Sequence, residues 1–188
     1  MFASLAERQL IATVLAALAR VPDAELVIAG GPARSQLPNV PGYRDAIKLA
    51  QRLRLEHRLT LLGQLSQDNA PALMRSADVL VSLAADEPFA MTPVQAMACG
   101  IPVIATAAGA QRDAVIHGTT GLIVAPTDPE LLAGRLRQLL AAPMQREGYG
   151  IAAASRAKAR YSWDRIARET VAVYETLART SAAAAAAA

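Results

Sequence analysis

Cysteine is almost missing from this chain. Cys99 stands alone, which excludes an internal disulfide and fits a reducing, cytoplasmic compartment. Histidine is as scarce: His57 and His117 have no ligand partner at helical or finger spacing, so no metal site is written in the sequence. Lysine is limited to Lys48 and Lys158, so arginine carries the mild formal charge of +3. Aromatic residues make up 4% of the chain and do not interleave with basic ones, which argues against nucleic acid as a partner. Arg52, Arg54 and Arg58, like Arg156 and Arg160, read as solvated faces of helices or turns. Nowhere do eighteen apolar residues run together, so no membrane span is predicted.

What is present is a core. The chain has 188 residues, 53% of them hydrophobic, enough for one domain. That domain is expected to span 1–180, with a Ser/poly-Ala tail at 181–188 that carries no fold information. Helical periodicity over 5–19 leads to an apolar run at 26–29, closed by Gly30-Gly31. A Pro- and Gly-rich loop is predicted for 32–42, a helix for 43–55, a strand for 59–62, a helix for 66–76 and a strand for 79–83. A helix after Thr92, a strand at 103–106, a short helix at 112–116 and a strand at 122–124 continue the alternation. Three helical segments follow Asp128, with Trp163 in the last connection. Strands alternating with helices predict an α/β chain with a doubly wound parallel sheet.

The most informative stretch joins two of those strands through a polar loop and a helix. In an open parallel sheet such a loop lies at the carboxyl ends of the strands, where ligands bind. Thr92 is expected as N-cap, with Pro93 at the first helical position and Gln95 placed to close a capping box. The N–H groups at such a helix start favour a phosphate or another anion. Pro88 holds Glu87 extended, and Glu87 lies too far upstream to serve the helix dipole, so it is expected to point into the crevice. Cys99, on the same helix and without a nearby histidine, reads as a packed structural thiol.

The residues Glu87-Pro-Phe-Ala-Met-Thr-Pro-Val-Gln95, followed by Ala96-Met-Ala-Cys-Gly-Ile-Pro-Val103, resemble the signature of family 4 nucleotide-sugar glycosyltransferases, which have the GT-B fold. Ala24-Glu-Leu-Val-Ile-Ala-Gly-Gly-Pro32, Leu61-Leu-Gly-Gln-Leu65, Ser76-Ala-Asp-Val-Leu-Val-Ser82, Gly118-Thr-Thr-Gly-Leu-Ile-Val-Ala-Pro126 and Tyr161-Ser-Trp163 follow in the family's order. The resemblance implies a Rossmann-like sheet of about six strands with helices on both faces. It also implies the donor-binding, C-terminal half of a two-domain, retaining enzyme, with the acceptor-binding domain absent from this chain. Such an enzyme needs no metal or other cofactor; a nucleoside-diphosphate sugar is its substrate. By the same resemblance, Glu87 contacts the donor sugar as the catalytic residue. The Phe89, Ala90 and Met91 backbone and Thr92 approach sugar and phosphate, Gln95 stands where the family has a ribose-binding Glu, Gly63 and Gln64 lie near the base, and Gly109 lies in a turn near the donor, ahead of Asp113. Members often act on lipid-linked acceptors, so peripheral contact with anionic lipid is compatible with the arginine-rich surface.

Four residues depart from the pattern. Ser4 and Gln9 stand where the family places an Arg and a Lys against the diphosphate, with Arg8 one place away as a partial substitute. Ala90 replaces a glycine, and Gln95 replaces the Glu. The departures keep a second reading open: a non-catalytic interaction module, or a subunit of a split enzyme. Neither Gly30-Gly31-Pro32 nor Gly109-Ala110 forms the Gly-x-Gly-x-x-Gly of a nicotinamide site, so tight turns are the plainer reading.

Overall fold

Apolar runs of three to five residues form the strands, and the amphipathic stretches between them form helices. The structure, a computed structural model, describes residues 8–83 and 89–186, the last six of these by backbone alone. In chain order the elements are α1 (Arg8–Leu18), β1 (Leu26–Ala29), a 3₁₀ turn (Arg34–Asn39), α2 (Pro41–Arg52), β2 (Leu59–Gly63), α3 (Asn69–Arg75) and β3 (Leu80–Ser82). They continue as α4 (Met91–Ala98), β4 (Val103–Thr106), α5 (Gln111–Ala114), β5 (Gly121–Val124), α6 (Pro129–Leu140), α7 (Pro143–Tyr161) and α8 (Trp163–Ala186). The stretch 32–42 is not all loop: it holds the 3₁₀ turn and the start of α2, where Pro41 suits the first helical position because its missing N–H is not needed there. Trp163 opens α8 and does not lie in the connection before it, and the helix runs on through the alanines to Ala186.

Every strand pair is parallel. The described residues give five strands in two ladders, β1–β2 and β3–β4–β5. Leu80 lies opposite Val103, and Val103 opposite Gly121. Side chains alternate across the sheet, and the two faces bury separate clusters. Val81, Ile104, Leu122 and Val124 pack with Leu15 of α1, Ala46 of α2 and Leu132 of α6. Leu80, Val103 and Ala105 pack with Met74 of α3, Met97 of α4 and Ala153 of α7. Burial on both faces explains why these strands read as apolar runs rather than alternating ones. In the second layer α7 closes on the end of α4 so tightly that a methyl group on Gly150 would overlap the Gly100 carbonyl.

Arginine does more than solvate the surface. The Arg58 guanidinium donates to the carbonyls of Leu18, Val21, Pro22 and Ala24 at 3.0, 2.6, 2.7 and 3.1 Å. It thereby gathers the last carbonyl of α1 and three carbonyls of the turn that follows, where a cation also suits the helix dipole. Arg156 likewise donates to the carbonyls of Ala114, at 2.9 Å, and Asp113. The solvated-face reading of these two residues is therefore corrected: a planar fork can grip several carbonyls at once, and sequence spacing does not reveal that. Arg54 has a different task. Its φ of 58° places it in the left-handed position after α2, with Leu55 N–H donating to Ala50 C=O (2.8 Å) and Arg54 N–H to Gln51 C=O (3.1 Å). That pattern is a Schellman cap, which glycine fills with least strain.

Two opposite outcomes are expected in thermal or urea unfolding. Arg58→Met should cost about 2–3 kcal/mol, because carbonyls bonded to a charged donor lose it together, and Arg58→Lys should recover only part of the loss. Arg54→Gly should add roughly 0.5–1 kcal/mol, since an exposed side chain gives up little when left-handed strain is relieved.

Candidate functional site at the carboxyl ends of the strands

The loops that leave the strands form the candidate site. After β2 the chain turns at Gly63, whose φ is 74°. The Gly63 carbonyl accepts from Gly30 N–H at 2.9 Å, and Gln64 N–H donates to the Pro32 carbonyl at 2.9 Å. These bonds stitch the loop after β1 to the loop after β2. A Cβ on Gly63 would sit 2.8 Å from the Pro32 oxygen, so glycine is required by both φ and space. Gly63 is buried and Gln64 is exposed; Gly63 thus holds the edge together, while the Gln64 side chain faces outward.

After β3 the chain re-enters the described residues at Phe89. Glu87 and the rest of 84–88 lie outside them, as does Ser4. Ala90 has φ 47° and ψ 39° and is the N-cap of α4, with no side-chain cap. Val94 N–H donates to the Ala90 carbonyl at 3.0 Å as the first turn of the helix closes. This corrects the expected cap. Thr92 and Pro93 are the second and third helical residues, because any of the first N–H positions tolerates proline. Gln95 lies beyond the first turn and is exposed, so no capping box forms. Ala90 is 1% exposed, and it occupies the left-handed conformation that the resemblance assigns to a glycine. Strain of about 1–2 kcal/mol is therefore held at this turn. Phe89 is 76% exposed and Met91 48%, leaving two apolar side chains in front of the helix start.

Gly109 follows β4 on the same edge as Phe89 and Met91. Behind it lie two buried polar side chains that sequence reasoning passed over, Thr106 and Gln111, each 0% exposed and each with an interaction partner. A polar residue ending an apolar strand, and another right after a Gly-Ala turn, were the available signals. Arg8, in the first turn of α1, is engaged by Asp45 of α2 at 3.2 Å with both side chains well exposed, an ion pair weak enough to yield to a stronger anion. Gln9 is exposed beside it. His117 accepts from Ile123 N–H at 2.9 Å through Nδ1, and Cys99 is half-buried with Sγ 4.0 Å from the Pro71 carbonyl; both serve packing and loop structure.

The family described as "Glycosyl transferases group 1" matches residues 1–156. The chain belongs to that family. The D-inositol 3-phosphate glycosyltransferase of Mycolicibacterium vanbaalenii is 38% identical over 135 residues, which are 69% of this chain and 30% of that protein. The enzyme of the same name from Mycolicibacterium paratuberculosis is 34% identical over 166 residues, 88% of this chain and 37% of that protein. The chain thus spans about a third of the length of these curated relatives. Among solved structures, sucrose-phosphate synthase from Thermosynechococcus elongatus superposes with a TM-score of 0.84 at 31% identity, over 95% of this chain and 45% of that one. HepE of Anabaena, solved in complex with UDP-glucose, gives 0.74 at 26% identity over 87% of this chain and 44% of that one. The expected α/β, Rossmann-like architecture of GT-B glycosyltransferases is thereby shown.

Substitution at the stitched loops separates structure from binding. Gly63→Ala should lower stability by at least about 2 kcal/mol in equilibrium unfolding, because positive φ and a backbone clash add together. Retention of wild-type stability would mean that the loops after β1 and β2 part readily.

Proposed function

We propose that this chain is the donor-binding part of a retaining glycosyltransferase that moves a sugar from a nucleoside-diphosphate sugar to an acceptor hydroxyl, with the acceptor-binding domain lying elsewhere. The observation that carries this reading is the start of α4, where no side chain caps the helix. N–H groups at such a terminus suit a phosphate. Beside them stand exposed Phe89 and Met91 on one side and the Gly109 loop on the other. That HepE, a relative in fold and sequence, was solved with UDP-glucose supports a uridine nucleotide as the first ligand to try. In this reading N–H dipoles and cations stabilise the departing diphosphate while the acceptor attacks the anomeric carbon. Glu87 contacts the sugar, Gln95 and Gln64 contact ribose and base, and the reading invokes no metal. Among the described residues no helix is long and apolar enough to cross a membrane, and a cytoplasmic or membrane-peripheral setting belongs to the same proposal.

The second reading, a non-catalytic module or a subunit of a split enzyme, is favoured by one specific observation. Arg8, one place from the position where the family has a Lys, is paired with Asp45, and the sequence offers Ser4 and Gln9 where charges are expected.

Titration with UDP and UDP-glucose, followed by NMR, should show weak binding with Kd on the order of 0.1–10 mM. Shifts should fall at 89–95 and 106–111. Ser4→Arg with Gln9→Lys should tighten UDP binding by roughly 3 kcal/mol or more, with strong salt dependence. A change below about 0.5 kcal/mol would place the diphosphate away from α1, and no shift with either nucleotide would favour the module.

A further inference from the structure

A donor diphosphate asks for a cation, and Ser4 and Gln9 stand where the family has its two. Charge is scarce on the loops that leave the strands. From Phe89 through Gln111, across the start of α4, β4 and the Gly109 turn, no side chain is charged, and Arg112 is the first that is. The loop after β2 is neutral as far as Asp68, and the first charge after β5 is Asp128, which caps α6. Towards the same end of the sheet, Arg8 is engaged by Asp45 at 3.2 Å. Arg34 and Arg44 lie on the crossover from β1 to β2, in the other ladder.

Arg112 is set beside the start of α4. That helix follows β3, α5 follows β4, and the two strands are neighbours; Ala90, ahead of α4, and Ala114 of α5 are buried in one cluster. Within α5, Gln111 and Ala114 turn inward, which leaves Arg112 and Asp113 outside and exposed. Helical side chains lean towards the amino end of their helix, over the turn before their own. For Arg112 that turn is the one at Gly109, whose φ is 50°. The guanidinium is thus carried towards the carboxyl ends of the strands, and among the described residues no ion pair holds it, with Asp113 or with any other acid.

The fold of α5 gives no reason for this charge. An acid, not a cation, suits the first turn of a helix, and no carbonyl accepts from Arg112 as carbonyls do from Arg58 and Arg156. The mount, by contrast, is firm. With four residues α5 is too short to hold itself, yet its last carbonyls, those of Asp113 and Ala114, accept from Arg156 of α7. A side chain that grips a ligand needs such support from behind.

We infer that Arg112 is the residue that pairs with the diphosphate of a nucleoside-diphosphate donor, supplying from α5 the charge that Ser4 and Gln9 do not. This assignment rests on the donor-binding reading proposed above. A guanidinium suits the task, because its planar fork gives a phosphate two parallel N–H bonds where an ammonium acts as a point charge.

The test is titration with UDP and with uridine, followed by NMR at low and high salt, for the 188-residue chain and its Arg112→Gln, Arg112→Lys and Arg34→Gln variants. Arg112→Gln should weaken UDP binding at least tenfold in low salt and flatten its salt dependence, while uridine affinity stays within twofold and Tm within a degree or two. Arg112→Lys should recover part of the UDP affinity. UDP binding by Arg112→Gln within twofold of the unaltered chain would overturn the assignment and leave the donor-binding reading standing. Equal losses for UDP and uridine would overturn it as well, because Arg112 would then shape the turn and not hold phosphate. A larger loss in Arg34→Gln would move the diphosphate to the β1–β2 ladder. If neither ligand shifts any resonance of the unaltered chain, the assignment and the donor-binding reading fall together.

Discussion

Backbone groups shut between two helical layers cannot turn to water, and much of this structure answers that constraint. The β3–β4–β5 ladder satisfies strands that are apolar on both faces. Where α1 ends and the chain turns towards β1, Arg58 reaches from beyond β1 to donate to four carbonyls. Arg156 does the same for the end of α5, and Arg146 for the carbonyls of Leu139 and Leu140 at the end of α6. The chain's preference for arginine over lysine follows: a guanidinium presents five N–H donors in a fixed fork, whereas an ammonium is a compact point charge.

The same constraint shapes the two ends of the sheet differently. At the carboxyl end the loops turn through left-handed residues, and α4 begins without a side-chain cap, leaving a helix terminus suited to an anionic ligand. Strain at Ala90 is the cost of that turn with the residue in place. At the amino end, residues entering β1 and β3 line a cleft of about 430 Å³.

Strand and helix positions were largely legible in the sequence. The runs at 26–29 and 103–106 became β1 and β4 at those bounds, because β-branched, apolar segments bounded by turns have few other uses. Gly63 was singled out only by resemblance, as a residue near the base; its positive φ and its contact with the Pro32 loop were not legible. The start of α4 was misplaced by two residues, since Thr-Pro has the composition of a cap while proline is tolerated anywhere in the first turn. Arg58 was read as solvated because its four partners lie 34 to 40 residues upstream.

The sequence by itself determined the alternation of strands and helices, the parallel sheet and the family, because each rests on local periodicity and on motifs contiguous in the chain. Tertiary structure alone decided which arginines cap helices, that Ala90 is left-handed, and that the two ladders flank a cleft. Those properties depend on where distant backbone groups come to rest, and local spacing carries no record of them.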